Sequence, residues 1–131
     1  MLRFRRYAER EGYGEQRGLQ ALHTLIDALL PVDRERAVNA EVLATLRDHA
    51  LGDGAFAATF HRRLGQLFDQ AVVHLEQARE DGQLGSARSV QVTAAILVNT
   101  VVGISMTSSI DDDRELAKYD SAAVKAILDS A

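Results

Sequence analysis

ARSVQVTAAILVNTVVGISMTSS, residues 87–109, is the stretch around which this chain is organised. At 3.6 residues per turn, the apolar side chains between positions 94 and 106 cover every side of a helix, with Leu97 on one side and Ile96 on the other. A helix that is apolar all round must be covered all round by a large core, a membrane or a second protein. We therefore expect one face to meet the chain's own core and the other to meet a partner subunit.

The composition favours a single small helical domain. The chain has 131 residues, of which 47% are hydrophobic and 26% charged, and it has no cysteine, which excludes disulfides and thiolate metal sites. A net charge of −4 argues against strong nucleic-acid binding by this chain alone. Gln91, Asn99 and Ser105 interrupt the apolar stretch, so a membrane span is not expected. The N-terminus lacks the apolar core of a signal peptide, so we expect a cytoplasmic protein.

Apolar residues at helical spacing predict further helices on both sides of this stretch. The expected ranges are 16–30, 34–51, 55–81 and 87–109, with a last helix from Asp120 or Ser121. Pro31 should end the first helix, and Asp53 should cap the third. Gly82 is placed to be the left-handed residue that ends the third helix, with Leu84 folding back onto its last turn. The prediction is an all-α single domain of about five to six helices.

Residues 1–18 form a separate basic segment. Its arginines alternate with aromatic residues, a combination that could contact phosphate groups. Glu9, Glu11 and Glu15 offset much of this charge, so we favour a solvated connector.

Ser86 is the expected N-cap of the apolar helix 87–109.

No combination of side chains points to catalysis. The histidines His23, His49, His61 and His74 do not fall at spacings that place two metal ligands on one helix face. Neither a nucleophile motif nor a phosphate-binding glycine loop is present. We therefore expect no enzyme activity, no metal and no cofactor, with structural or solvated roles for the histidines.

Two polar residues stand inside the apolar helix. Asn99 and Thr100 need partners if they are buried. Three interpretations remain open: they bond neighbouring backbone, they bond across a dimer, or they orient a ligand in an apolar cavity.

The segment 60–110 resembles the C-terminal regulatory domain of TetR/AcrR-type transcriptional repressors. In that family a long helix ends in an Ala-x-x-x-Gly-x-Leu turn, here Ala78, Gly82 and Leu84, and a mostly apolar helix with a central Asp-Gly follows. Gly103 matches the glycine, whereas Val102 stands where the aspartate often does. The resemblance covers roughly residues 19–131. The family's N-terminal helix-turn-helix domain has no counterpart here, and residues 1–18 would be at most a remnant of the linking helix.

The resemblance implies a homodimer in which the last two helices of each subunit form a four-helix bundle. It also implies a cavity, enclosed by the helices starting near Gln16, Arg34, Ala55 and Ala87, that binds a small, largely apolar effector. DNA would be bound only through the missing N-terminal domain. The residues expected to line the cavity are Leu22, Leu46, Phe60, Leu64, Leu67, Phe68, Ile96, Asn99 and Thr100. Those expected at the dimer interface are Val98, Val101, Val102, Ser105, Val124, Ile127 and Leu128.

Two questions stay open from the residues alone. Periodicity cannot orient a helix without a polar face, so the cavity side and the dimer side of 87–109 could be exchanged. The alternative function is a purely structural helical dimerisation module with a filled core and no ligand. A small helical enzyme or metal carrier is a third and weaker hypothesis.

Overall fold

A computed structural model describes residues 8–30, 45, 48–49, 51–85, 88–108 and 119–129, without the side chains of 105–108, 120 and 121. Within these ranges a 3-10 turn is followed by four α-helices whose bounds are defined, residues 8–10, 45, 48 and 49 are also helical, and there is no strand. The prediction of an all-α domain is confirmed. The elements are the turn Tyr13–Glu15, helix α1 Gly18–Leu29, helix α2 Gly54–Glu80, helix α3 Val90–Ser108 and helix α4 Asp120–Asp129.

Helix α1 ends where the proline requires it to end. Leu30 has an extended backbone (φ −74°, ψ 133°), the conformation that a following proline favours, and its N–H still donates to the Ile26 carbonyl over 3.0 Å. The helix predicted at 34–51, including Leu46, lies outside the described residues except at positions 45, 48, 49 and 51. The described residues of that range are helical at Thr45, Asp48 and His49.

Both ends of helix α2 follow from local chemistry. The Asp53 carboxylate accepts hydrogen bonds from the backbone N–H groups of Ala55 (2.8 Å) and Phe56 (3.4 Å), which confirms the predicted N-cap. At the other end Gly82 takes a left-handed φ of 72°, and the Gln83 N–H donates to the Ala78 carbonyl over 2.8 Å. This pairing is a Schellman motif, so the predicted glycine stop is confirmed as well.

Helix α3 is capped by a different serine from the expected one. The Ser89 hydroxyl accepts a hydrogen bond from the Val92 N–H over 3.0 Å, so the helix starts at Val90 rather than near position 87. Ser86 itself lies outside the described residues.

One apolar core joins the four helices. Helix α2 packs against α1 and α3, and α4 packs against α3. The side chains buried at the centre are Leu22, Ile26, Leu30, Ala71, Leu75, Val90, Ala94, Leu97, Val101, Val124 and Leu128. None of the described helices combines the length and the apolarity that crossing a bilayer requires.

Candidate functional site

The two sides of helix α3 have different surroundings. One side is buried in the chain's own core through Val90, Thr93, Ala94, Leu97, Val98 and Val101. The other side is open: Val92 is 50% exposed, Asn99 and Gly103 are exposed, and Ile96 and Val102 are only half-buried. We call Val92, Ala95, Ile96, Asn99, Val102 and Gly103 the open face of α3. It is mostly apolar, and the described part of the chain leaves it partly uncovered.

The residues predicted for the dimer interface differ in how far the single chain buries them. Val98, Val101, Val124 and Leu128 are buried, the last three at 3–6% exposure. Val102 and Ile127 are half-buried, and the Ser105 side chain is not among those described. These residues stay a prediction for the interface of a dimer.

The residues predicted to line the cavity differ in burial. Leu22 is fully buried in the core, and Asn99 is exposed on the open face. The amide of Asn99 therefore reaches solvent and needs no buried partner. Leu46 lies outside the described residues. The other predicted lining residues, Phe60, Leu64, Leu67, Phe68, Ile96 and Thr100, are half-buried.

A cleft of about 510 Å³ lies elsewhere, between helices α1 and α4. We call it the α1–α4 cleft, and none of the predicted cavity residues lines it. Its apolar lining consists of Leu19, Ile26, Leu30, Leu84, Val124 and Leu128, and its polar lining of His23, Asp27, Gln83, Lys125 and Asp129, with Gly85 at one end. The stretch Gln83–Gly85, at the end of the Schellman turn, lines the cleft beside its two helical walls.

Opposed charges lie along the walls of the cleft. Asp27 belongs to α1, whereas Lys125 and Asp129 lie one turn apart on α4. Within the described part of the chain, Lys125 and Asp129 form neither a hydrogen bond nor an ion pair, while Asp27 has an interaction of its own. Among the described lining residues, two carboxylates and one ammonium group therefore lie at the cleft.

The N-terminal segment is fastened to the end of helix α2 by a buried histidine. The Tyr13 hydroxyl lies 2.5 Å from Nε2 of His74, and Nδ1 of His74 lies 3.0 Å from the Gln77 amide oxygen. That same oxygen accepts the Gly18 N–H over 2.9 Å. Because an amide oxygen can only accept hydrogen bonds, Nδ1 of His74 must be the donor in the bond between them. Nε2 of the same ring forms a hydrogen bond with the Tyr13 hydroxyl. Burial raises the pKa of Tyr13 above its ordinary value.

An exposed ion pair and an amide complete this attachment. Arg17 donates to the Asp81 carboxylate over 2.9 and 3.1 Å, and its hydrogen bond to Asp81 is the main reason that the pKa of Arg17 is raised. The Gln83 side-chain oxygen accepts the Leu19 N–H over 3.1 Å. Residues from Tyr13 to Gly18, predicted to be a solvated connector, thus contact the last turns of α2. No periodic pattern in the sequence could have revealed these contacts.

Metal chemistry has no visible basis in the part of the chain that the structure describes. No group of three histidine, aspartate or glutamate side chains there lies close enough to hold an ion. His23, His49 and His61 are exposed, and His49 stacks on Phe56 with ring centroids 5.1 Å apart.

Comparison with family models finds no match for this chain, and comparison with curated proteins finds none either. The described residues form an all-α fold with a partly uncovered apolar helix face and an amphipathic cleft.

Proposed function

We propose that this chain is the effector-sensing and homodimerisation domain of a TetR-like transcriptional repressor, which would control DNA binding by a helix-turn-helix domain. The observation that carries the proposal is the open face of α3. The described part of the chain covers this helix, which has apolar residues on all sides, fully on one side only, and a second copy of the chain would cover the other.

The neighbouring helix extends this surface. Helix α4 packs on α3, and its Ala122, Ala123 and Ala126 are exposed. Small side chains let a second helix approach closely, and a two-fold axis would bring the same patch of both copies together. Two helices from each copy would make the four-helix arrangement that the family resemblance implies. The Schellman turn at Ala78, Gly82 and Gln83 agrees with the Ala-x-x-x-Gly part of the motif that carries the resemblance.

An effector would act by preferring one arrangement of the dimer. A ligand shifts such an equilibrium only by the difference in its affinity for the two states. The attachment of Tyr13 and Arg17 to the end of α2 supports a mechanical role for the N-terminal segment, since it joins that segment to the helical domain.

The dimer is tested by sedimentation equilibrium with a matched pair of variants. Val92→Glu places a charge on the open face, and it creates a Ser89-x-x-Glu capping box, so helix α3 itself should not be weakened. We expect a dimer for the unmodified protein and a dissociation constant raised at least about tenfold by Val92→Glu, which corresponds to about 1.4 kcal/mol. Val73→Glu is the control, because Val73 is 49% exposed but lies on α2. A stable monomer at high concentration, or equal effects of the two variants, would contradict the proposal.

A structural dimerisation module without a ligand is the second candidate. The complete burial of Leu22 within the cluster of core side chains favours it. Thermal unfolding against a panel of small apolar and amphipathic compounds separates the two candidates, because a ligand that binds only the folded state adds RT ln(1 + [L]/Kd) to its stability. A midpoint that no compound raises would favour the structural module.

A further inference from the structure

We propose that Asn99 fixes how two copies of this chain pair: their α3 helices cross at this residue, and the two Asn99 amides bond to each other across the two-fold axis. The inference deepens the proposed function and rests on it, because it needs the second copy. It adds which residue meets its own counterpart and what sets the register of the two helices.

Asn99 lies at the centre of the open face of α3. Residues three and four positions apart are neighbours on a helix surface, and at these distances from Asn99 stand Ala95, Ile96, Val102 and Gly103, none of which has a polar side chain. Asn99 is exposed, and its amide forms no hydrogen bond within the part of the chain that the structure describes. Water can satisfy this amide in the single chain. The surrounding apolar residues would exclude that water once a second copy covers the face.

The amide then needs a partner on the second copy. An amide that loses its water without gaining a hydrogen bond opposes association. Asn99 is the polar side chain of the open face, and the exposed Ala122, Ala123 and Ala126 of the neighbouring helix α4 have no hydrogen-bonding group either. A residue on a two-fold axis meets its own counterpart, and an amide group both donates and accepts, so two asparagines satisfy each other. A buried asparagine pair of this kind fixes the register of two helices.

Small residues on both sides of Asn99 let a second helix come close enough for this pairing. Ala95 lies one turn before Asn99 and Gly103 one turn after it. A Cβ added at Gly103 would meet nothing within 4 Å, so the chain itself leaves the space beside Asn99 open. The distance between the axes of two packed helices depends on the side chains at the contact. With small residues there, a side chain as short as asparagine can reach its counterpart.

Opposite charges at position 99 test whether this residue meets its own counterpart. Asn99→Asp and Asn99→Lys each place like charges face to face in a homodimer, so we expect each to raise the dissociation constant at least about tenfold. An equimolar mixture of the two variants brings opposite charges together and should form heterodimers well above their statistical share. Native mass spectrometry of the mixture, with one variant ¹⁵N-labelled, distinguishes the three dimers, and sedimentation equilibrium gives the dissociation constants. Gln70→Glu is the control, because it makes the same amide-to-carboxylate change on an exposed residue of α2 and should leave the dissociation constant unchanged.

Gly103→Ala separates the helix crossing from the stability of the fold. The added Cβ has open space in the single chain and alanine favours helix over glycine, so unfolding at low protein concentration should show no loss of stability. The same Cβ would stand between the two crossed helices, so the dissociation constant of the dimer should rise at least about fivefold. Damage to the fold would lower the stability as well.

The outcomes distinguish this inference from the proposed function. An unmodified protein that stays monomeric at high concentration removes the proposed function, and the inference with it. A dimer whose Asn99→Asp and Asn99→Lys variants mix only in statistical proportion, or keep the dissociation constant of the unmodified protein, retains the proposed function and overturns the inference. An unchanged dissociation constant in Gly103→Ala also overturns it, because the helices would then not cross beside Asn99.

Discussion

The hydroxyl of Tyr13 forms a hydrogen bond with Nε2 of His74, although 61 positions separate the two residues in the chain. Their rings meet edge to face, with centroids 5.2 Å apart and planes 84° from each other. The bond joins the 3-10 turn to the buried side of helix α2, and through Gln77 it reaches the first residue of α1. The imidazole of His74 thus joins the 3-10 turn, helix α2 and the start of helix α1.

Replacing the imidazole of His74 should destabilise the folded protein. His74→Leu removes the partner of the Tyr13 hydroxyl and one donor to Gln77, so we expect the free energy of unfolding to fall by about 1–3 kcal/mol. His61→Leu, on the exposed side of the same helix, should change it by less than about 0.5 kcal/mol. Urea denaturation followed by circular dichroism at a fixed protein concentration measures both. Equal stabilities of the two variants would show that the His74 contacts contribute nothing.

Stability should also respond to tyrosine ionisation. The pKa of Tyr13 is raised in the folded chain, so the folded state holds this proton more tightly than the unfolded state does. The stabilisation is complete below the unfolded pKa of about 10 and is lost as the pH rises through the folded pKa. The difference in stability between the unmodified protein and Tyr13→Phe should therefore shrink above about pH 10. Denaturant titrations from pH 8 to 11.5 test this, and a difference that is constant with pH would refute it.

Two glycine substitutions should have opposite effects. At Gly65, inside α2, an added Cβ meets nothing within 4 Å, so Gly65→Ala should stabilise the protein by about 0.5–1 kcal/mol. Gly18 has a left-handed φ of +62°, and its Cβ would come within 2.6 Å of the Gln83 oxygen that accepts the Leu19 N–H. Gly18→Ala should destabilise by at least about 1 kcal/mol, through backbone strain and loss of that hydrogen bond. Thermal unfolding gives both signs, and a stabilised Gly18→Ala would contradict the described turn.

The two faces of helix α3 should differ in their sensitivity to truncation. Leu97→Ala leaves a cavity in the core and should lower the free energy of unfolding by about 2–5 kcal/mol. Val102→Ala, on the open face, should cost much less, provided that unfolding is measured below the concentration at which the chain self-associates. Urea titrations at low protein concentration make the comparison. Similar costs for the two variants would show that the helix is rotated from the described orientation.

Local chemistry in the sequence was enough to predict the helices and most of their ends. Pro31, the Asp53 cap and the Gly82 stop act on backbone groups within a few positions of themselves, and such contacts can be recognised from residue type and spacing. The serine cap of α3 was misplaced because both Ser86 and Ser89 precede the same apolar run, and spacing alone could not choose between them.

Only the tertiary structure decided which way helix α3 faces. Its apolar residues surround the axis, so rotating it changes no periodic signal, and packing against α2 and α4 selected Leu97 and Val101 for the core and left Val92 and Ile96 outside. The cleft and the Tyr13–His74 bond were likewise beyond the sequence, because each joins residues from distant segments. All-α architecture and helix limits were determined by contacts along the chain, whereas the surfaces on which function would depend were determined by contacts across it.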